Sequence, residues 1–481
     1  MLIIESIIFL NISLLFLIYN VHYFILFFFG KNISFEQIIW TISRSKKGSI
    51  TSFLLTHLII FVLVLFTGIT LLSFFIFNID YLLNFFNPTI IFLILFIILF
   101  ISFLILVLFC NTVNKKYSIT DYFLNKNSYS FSEFIKNNYV IPSKSEISFK
   151  TRKNIVIVLA ESLETTFSGM YSNNRFNYIP KLIKQQKTGQ YVSNYLNTTV
   201  SGYTIGALTA WHFGLPLKLP DFISGNEYGK KDFLPNAISI FDVLRNHNYQ
   251  QTLLMGTDAR FGGQLELFKK HGNFNIKDEF YWKHVEKIAL NEKNKGCWAY
   301  TDKFVLNKAK EEYIFLKQNS YPFVLFIETI DTHAPNGFSP QAKKQYNDIR
   351  DAYIELDDNL TDFIDFMKQN MDDNTVFMVI GDHCFMGEPS FFNKKDLNNR
   401  KIYNAFWGNL PKNRQVYQNK YVTAFDIAPT ILQCAGASWS NYKFGLGTSI
   451  FSSEFNLSKN NEFEYLNNEL MKKSKFYSKF Y

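Results

Sequence analysis

Apolar and polar positions divide this chain into two parts with different rhythms. Residues 2–29, 53–77 and 89–110 are apolar runs almost without charge, Glu5 and His22 being the exceptions in the first. Each reaches the roughly 20 residues a helix needs to cross a bilayer, so three membrane-spanning helices are predicted. The first run lacks a basic start and a small-residue cleavage site, and a cleaved leader accounts for it poorly. Beyond residue 150 the runs shorten and alternate. Apolar, β-branched stretches at 154–160, 251–255, 323–327 and 375–380 predict buried strands; patterns of helical period at 238–246, 301–317, 346–368 and 424–435 predict helices. Such alternation predicts an α/β layered domain around a mostly parallel sheet. Within 346–368 the apolar stripe is Ile349, Ala352, Tyr353, Leu356, Leu360, Phe363, Ile364 and Met367, and the intervening Asp357 and Asp358 read as a solvated face. The chain thus divides into a membrane part (1–112), a linker (113–150), the α/β domain (151–450) and a polar, aromatic tail (451–481).

Composition adds limits. With 481 residues, 48% of them hydrophobic and 53 Phe, the chain can fill one large core beside its membrane part. The formal charge of +9 suits anionic lipid surfaces. Its Lys and Arg are dispersed and match no nucleic-acid fingerprint, so nucleic acid is not an expected partner. The linker mixes Tyr117, Tyr122, Phe123, Tyr129, Phe131 and Phe134 with Lys and Asn, which suits either headgroup depth or short helices packed on the domain. The four cysteines, Cys110, Cys297, Cys384 and Cys434, have no close-pair spacing, which excludes a zinc ribbon or a dense disulfide framework. Lys31, Arg44, Lys46 and Lys47 lie between the first two runs, whereas 78–88 has no Lys or Arg. By the positive-inside rule alone the α/β domain would be cytoplasmic.

Chemistry gathers at the ends of the predicted strands. Asn154-Ile-Val-Ile-Val-Leu-Ala-Glu161 and Thr375-Val-Phe-Met-Val-Ile-Gly-Asp382-His383 both run from apolar residues straight into ionisable ones, as buried parallel strands do when they deliver groups to the carboxyl edge of a sheet. Ser201-Gly-Tyr-Thr204-Ile-Gly206 offers a hydroxyl between glycines. Glu161, Asp382 and His383 would give a divalent ion mixed oxygen and nitrogen ligands, suited to zinc, manganese or magnesium rather than a thiolate-seeking metal. A Thr204 hydroxyl at the open position would have its pKa lowered and become a nucleophile near neutral pH. His333, after the run at 323–327, could orient or protonate a phosphate. Taken singly, Glu161 also reads as an acceptor at a helix start and Thr204 as a cap. Arg260 reads as a planar fork for phosphate or as half of an ion pair. Cys384 reads as a buried thiol.

Glu161-Ser-Leu-Glu164, Gly202-Tyr-Thr204-Ile-Gly, Gly214-Leu-Pro216-Leu, Phe233-Leu-Pro235, Gly256-Thr-Asp258-Ala-Arg260-Phe261, Asp331-Thr-His333 and Asp382-His383 follow one another along the chain. Over about residues 154–449 the sequence therefore resembles the phosphoglycerol transferases that decorate periplasmic glucans. These are relatives of lipoteichoic acid synthase in the alkaline phosphatase and sulfatase superfamily. The resemblance implies a sulfatase-like α/β fold with Thr204 as nucleophile. It implies one divalent ion, manganese first with magnesium or zinc as alternatives, on Glu161, Thr204, Asp382 and His383. Substrate contacts would come from Asp258, Arg260, Phe261 and His333, the last also transferring a proton or holding phosphate. The implied reaction moves glycerol phosphate from phosphatidylglycerol to an envelope glycan through a covalent threonine intermediate. The implied location is the bacterial inner membrane, multi-pass, with the catalytic domain outside. That orientation opposes the charge rule; it follows from the segment Phe35-Glu-Gln-Ile-Ile-Trp-Thr-Ile-Ser, which looks like an external loop of the relatives, and is preferred because the implied donor headgroup and glycan acceptors are met there. A phosphoethanolamine transferase, a membrane-tethered phosphodiesterase and a non-enzymatic membrane sensor are the alternatives. Sulfate ester hydrolysis is not expected, since Thr204-Ile-Gly-Ala-Leu has neither the Pro nor the Arg of a formylglycine motif. The glucan-modifying relatives carry a long further C-terminal portion, so the acceptor can differ here.

Overall fold

The computed structural model describes residues 88–117, 131–141, 146–170, 176–218, 232–291, 298–334, 345–411, 420–453 and 462–481, together with isolated positions elsewhere. Among the described residues one helix, α1 (Pro88–Tyr117), is long and apolar enough to cross a membrane. Its 30 residues span about 45 Å at 1.5 Å each, more than a bilayer's hydrocarbon core. Ile90, Leu93, Phe96, Phe100, Phe103 and Leu108 point outward from it. Apart from a few helical positions, the predicted spans 2–29 and 53–77 lie outside the described residues. Of those positions, Tyr19 and His22 lie against Phe109 of α1, with ring centroids 6.2 and 5.8 Å away.

Six strands make the central sheet: β1 (Asn154–Ala160), β2 (Gln250–Met255), β3 (Asn275–Lys277), β4 (Phe323–Glu328), β5 (Thr375–Gly381) and β6 (Asn404–Gly408). Their order is β3-β2-β4-β1-β5-β6, parallel throughout except for the antiparallel edge strand β6. β1 is central, with Ile157 level with Phe326 on one side and Met378 on the other. Its alternating side chains feed two cores. Ile155, Ile157 and Leu159 join one cluster, and Val156, Val158 and Ala160 the other. The first face is covered by α3 (Thr204–Phe213), α4 (Ile240–Asn246), α5 (Gln264–Lys270) and α8 (Ile427–Cys434). The second is covered by α2 (Pro180–Gln186), α6 (Asp302–Lys317) and α7 (Ile349–Asn370). Burial on both faces explains the unbroken apolar run of β1, whose Ile, Val and Leu side chains contribute ~1.5–3 kcal/mol each.

The predicted helix at 346–368 starts three residues later than its pattern. Asn347 has a φ of 55°, and the Asp348 side chain accepts from Arg350 N as the cap. Its apolar stripe is buried as expected, but Asp357 is not solvated. The Asp357 carboxylate accepts from the backbone N–H of Lys181 at 3.1 Å and Leu182 at 2.7 Å, capping α2, while Asp358 is exposed and pairs with Lys181. Residues after 450 continue into the first core through Leu466 and Leu470 of α9 (Phe463–Met471), then Tyr477 and Phe480. Residues 131–141 lie beside this segment, with Ser132 N donating to Lys473 O at 2.8 Å.

Candidate active site

Parallel strands place their carboxyl ends on one edge. There β1 and β5, side by side, hand over Glu161 and the Asp382-His383 pair. All three residues are fully buried, with one ligand atom from each within 4.8 Å of the others. Gly381 must be glycine, since a Cβ would lie 2.0 Å from Leu163 O. Its absence lets the turn after β1 close over the end of β5. That turn holds Ser162 at a φ of 55°, a sparsely populated conformation for a residue with a side chain. Contacts hold it there: Ser162 N donates to Asp382 Oδ1 (2.8 Å), Ser162 Oγ to Glu161 Oε1 (2.6 Å), and the Tyr353 hydroxyl to Ser162 O. Thr329 and Thr332, just after β4, bond Glu161 N and Glu161 O respectively.

His383 Nδ1 lies 2.9 Å from Cys384 O, so this nitrogen carries the hydrogen and Nε2 is free to present a lone pair. Nε2 has no hydrogen-bond partner although it is fully buried, and neither has Asp382 Oδ2, 3.2 Å away. Glu161 Oε1 is 3.6 Å from the same nitrogen. Two carboxylates and an imidazole face one another across a buried space, a set of donors that a cation would satisfy. Burial, with Glu161 alongside, pushes the Asp382 pKa upward. The donor set fits a divalent ion, and the backbone carbonyl on Nδ1 is the usual support for a ligating imidazole. Cys384 is buried and free; its carbonyl serves the site.

Thr204 is the first residue of α3, half-buried, and its Oγ1 donates to Glu161 Oε2 at 3.1 Å. The first amides of this ten-residue helix have no intrahelical acceptor and favour an anion beside the hydroxyl. Gly206 permits the arrangement, because a Cβ would lie 2.6 Å from Val200 O of the turn that folds back over the helix start. The structure therefore brings Glu161, Thr204, Asp382 and His383 together.

The remaining expected residues follow neighbouring parallel strands at the same edge of the sheet. Asp258, Arg260 and Phe261 follow β2, and His333 follows β4. Arg260 Nε lies 2.9 Å from both Asp258 oxygens, so the ion-pair reading is realised, yet its side chain is 69% exposed. Burial pushes the Asp258 carboxyl up, but the hydrogen bonds from Arg260 more than offset this and leave it below its usual range. His333 Nδ1 lies 2.7 Å from Ala334 O, which leaves Nε2 as the atom that can exchange a proton. Trp298 joins these groups, with its ring 5.7 Å from Phe261 and 5.3 Å from His333. It lies in a loop without periodicity, and no sequence signal marked it. Glu328 was missed too, although it ends the apolar run of β4 just as Glu161 follows that of β1, a signal that could have marked it. It is buried, accepts from Gln264 Nε2 at 2.9 Å, and has an unpartnered Oε2. Burial pushes its pKa up to about 8.

An α/β sandwich with a carboxylate-imidazole centre at the carboxyl edge of its parallel strands defines the alkaline phosphatase and sulfatase class of enzymes. Residues 153–437 match the sulfatase family model, and the chain belongs to that family. It is similar to phosphoglycerol transferase I of Salmonella choleraesuis, 27% identical over 313 residues, and of Salmonella typhimurium, 28% identical over 314. Each match covers 63% of this chain but 39% of the relative, so the chain spans well under half the length of these relatives. The lipoteichoic acid synthase LtaP from Listeria monocytogenes shares the fold at 18% identity, with a TM-score of 0.51 over 66% of this chain and 80% of that one.

Proposed function

We propose that this chain is a membrane-anchored, metal-dependent transferase that moves glycerol phosphate from phosphatidylglycerol to an envelope glycan, with Thr204 as nucleophile. The observation that carries the reading is the Thr204 hydroxyl, set at a helix N-terminus 3.1 Å from Glu161 within a buried ligand cluster. Likeness to phosphoglycerol transferases supports the choice of donor, and α1 supports the anchor. Glu161, Asp382 and His383, with Thr204 Oγ1, would hold a divalent ion, manganese first with magnesium or zinc as alternatives, whose charge favours the deprotonated hydroxyl and stabilises the phosphoryl oxygens.

Thr204 Oγ1 attacks the donor phosphorus while the first amides of α3 receive its oxygens. The bond from phosphorus to the diacylglycerol oxygen breaks, and His333 protonates the leaving alkoxide. Glycerol phosphate remains esterified to Thr204. An acceptor hydroxyl then gives its proton to His333 and attacks phosphorus, releasing Thr204. Arg260 would exchange one contact to Asp258 for the phosphate, and Asp258 and Phe261 would meet the glycerol. The catalytic domain faces the outside of the inner membrane on this reading, where the glycan lies. Purified protein incubated with fluorescent phosphatidylglycerol and manganese should release diacylglycerol and gain a glycerol phosphate adduct by intact mass. Thr204→Ala should do neither while keeping its fold, and retained turnover in that variant would sink the nucleophile assignment.

A further inference from the structure

A second aromatic surface lies on the α7 side of the same domain. Phe176, Tyr178, Tyr346 and Phe391, from three separate segments, line a groove of about 650 Å³, within the size range of small-molecule sites. Phe176 and Tyr178 stack at 5.1 Å, and Phe391 stands edge-on to them at 5.8 and 5.6 Å. Tyr346 is edge-on to Tyr178 at 5.7 Å. Phe176, Tyr346 and Phe391 keep part of their surface open, and the exposed amides of Asn177 and Gln345 form the rim. Among the described residues the cation at this groove is Arg350, which lies 4.1 Å over the Tyr346 ring and is paired with Asp348, Nε to Oδ1 at 2.9 Å and Nη2 to Oδ2 at 2.7 Å.

A chain of ring contacts leads from the groove toward the candidate centre, and the loop after His333 packs on the same helix, α7. Phe391 meets the edge of Phe167, which stacks on Tyr353 at 3.4 Å, and the Tyr353 hydroxyl bonds Ser162 O beside Glu161. Gly337, four residues after His333, lies so close to α7 that a Cβ would come within 2.6 Å of the Ala352 Cβ. Ring faces with planar amides at the rim suit a sugar, which offers C–H faces to aromatics and hydroxyls to amides.

We propose that this groove holds one or two sugar units of a neutral glycan, as the acceptor subsite of the transferase reading on which this inference rests. Binding needs no donor and can be measured on the full-length detergent-solubilised protein. Saturation-transfer NMR would use neutral oligosaccharides of glucose, galactose, rhamnose and N-acetylglucosamine as probes. At least one probe should bind, and Tyr346→Ala and Phe391→Ala should weaken it about 10-fold, or ~1.4 kcal/mol. Gln345→Ala, at an exposed position that cannot unfold the domain, should weaken it less. Binding of no probe, or equal binding by all three variants, overturns the subsite. Binding that behaves as expected without any diacylglycerol release keeps the glycan site and overturns the donor assignment instead.

Discussion

A buried imidazole nitrogen and a buried carboxylate oxygen, 3.2 Å apart and without hydrogen-bond partners, are costly to leave uncompensated. Removing either ligand residue should therefore be felt first in metal retention. His383→Ala and Asp382→Ala should each lower manganese affinity by on the order of 10-fold or more, read as metal content after dialysis against graded free ion. An unchanged content would detach these residues from any ion. Asp357 makes a separate case, far from metal chemistry. Burial raises its pKa to about 6 even though two backbone N–H groups of α2 pull it down. Its unfolded value is near 4, so between about pH 4 and 6 the folded chain holds a proton that the unfolded chain has lost. Stability falls as pH rises through that window, and Asp357→Asn, which keeps an acceptor but cannot titrate, should fall less steeply in urea titrations at each pH. Sequence pattern placed Asp357 on the wrong side because a lone acid beside an apolar stripe looks the same whether it meets water or a neighbouring helix start.

Between elements, the loop that follows His383 is tied to the turn that follows Glu161 by one buried ion pair. Arg400 Nε lies 2.9 Å from Glu164 Oε2, its Nη2 bonds both Glu164 Oε1 and Phe385 O, and Phe385 N donates to Glu164 Oε1 at 3.2 Å. Arg400→Ala would leave Glu164 buried and unpaired, a loss of ~3–5 kcal/mol in unfolding experiments. Arg400→Lys should recover only part of it, because an ammonium cannot make the forked contact. The four strands with long apolar runs were legible because both of their faces are buried. β3 is three residues long and β6 is a short edge strand, Asn404-Ala-Phe-Trp-Gly, so neither carries enough period to be seen. The ligand residues were legible because each interrupts such a run, whereas Trp298 reaches the site from a loop whose course no local pattern dictates.

At the scale of the molecule, α1 and the α/β domain have opposite demands on solvent. A chain beginning at residue 131 should stay in the supernatant after ultracentrifugation without detergent and unfold cooperatively, while the full chain should sediment with membranes. A soluble full chain would remove α1 as an anchor. The apolar run of α1 was plain in the sequence because nothing interrupts it, but orientation was not, since the charge rule and the family likeness point opposite ways. The domain itself is assembled from remote parts. Ser162 and Asp382, joined at the candidate metal centre, are 220 positions apart in the chain. No complete seat for an ion exists until the two strands behind them have docked, so ligation and folding are linked at this site. Protein sites of this donor type take what surrounds them as much as what they prefer. The ion found in protein drawn from its native host is therefore a record of the compartment where the last strand closed.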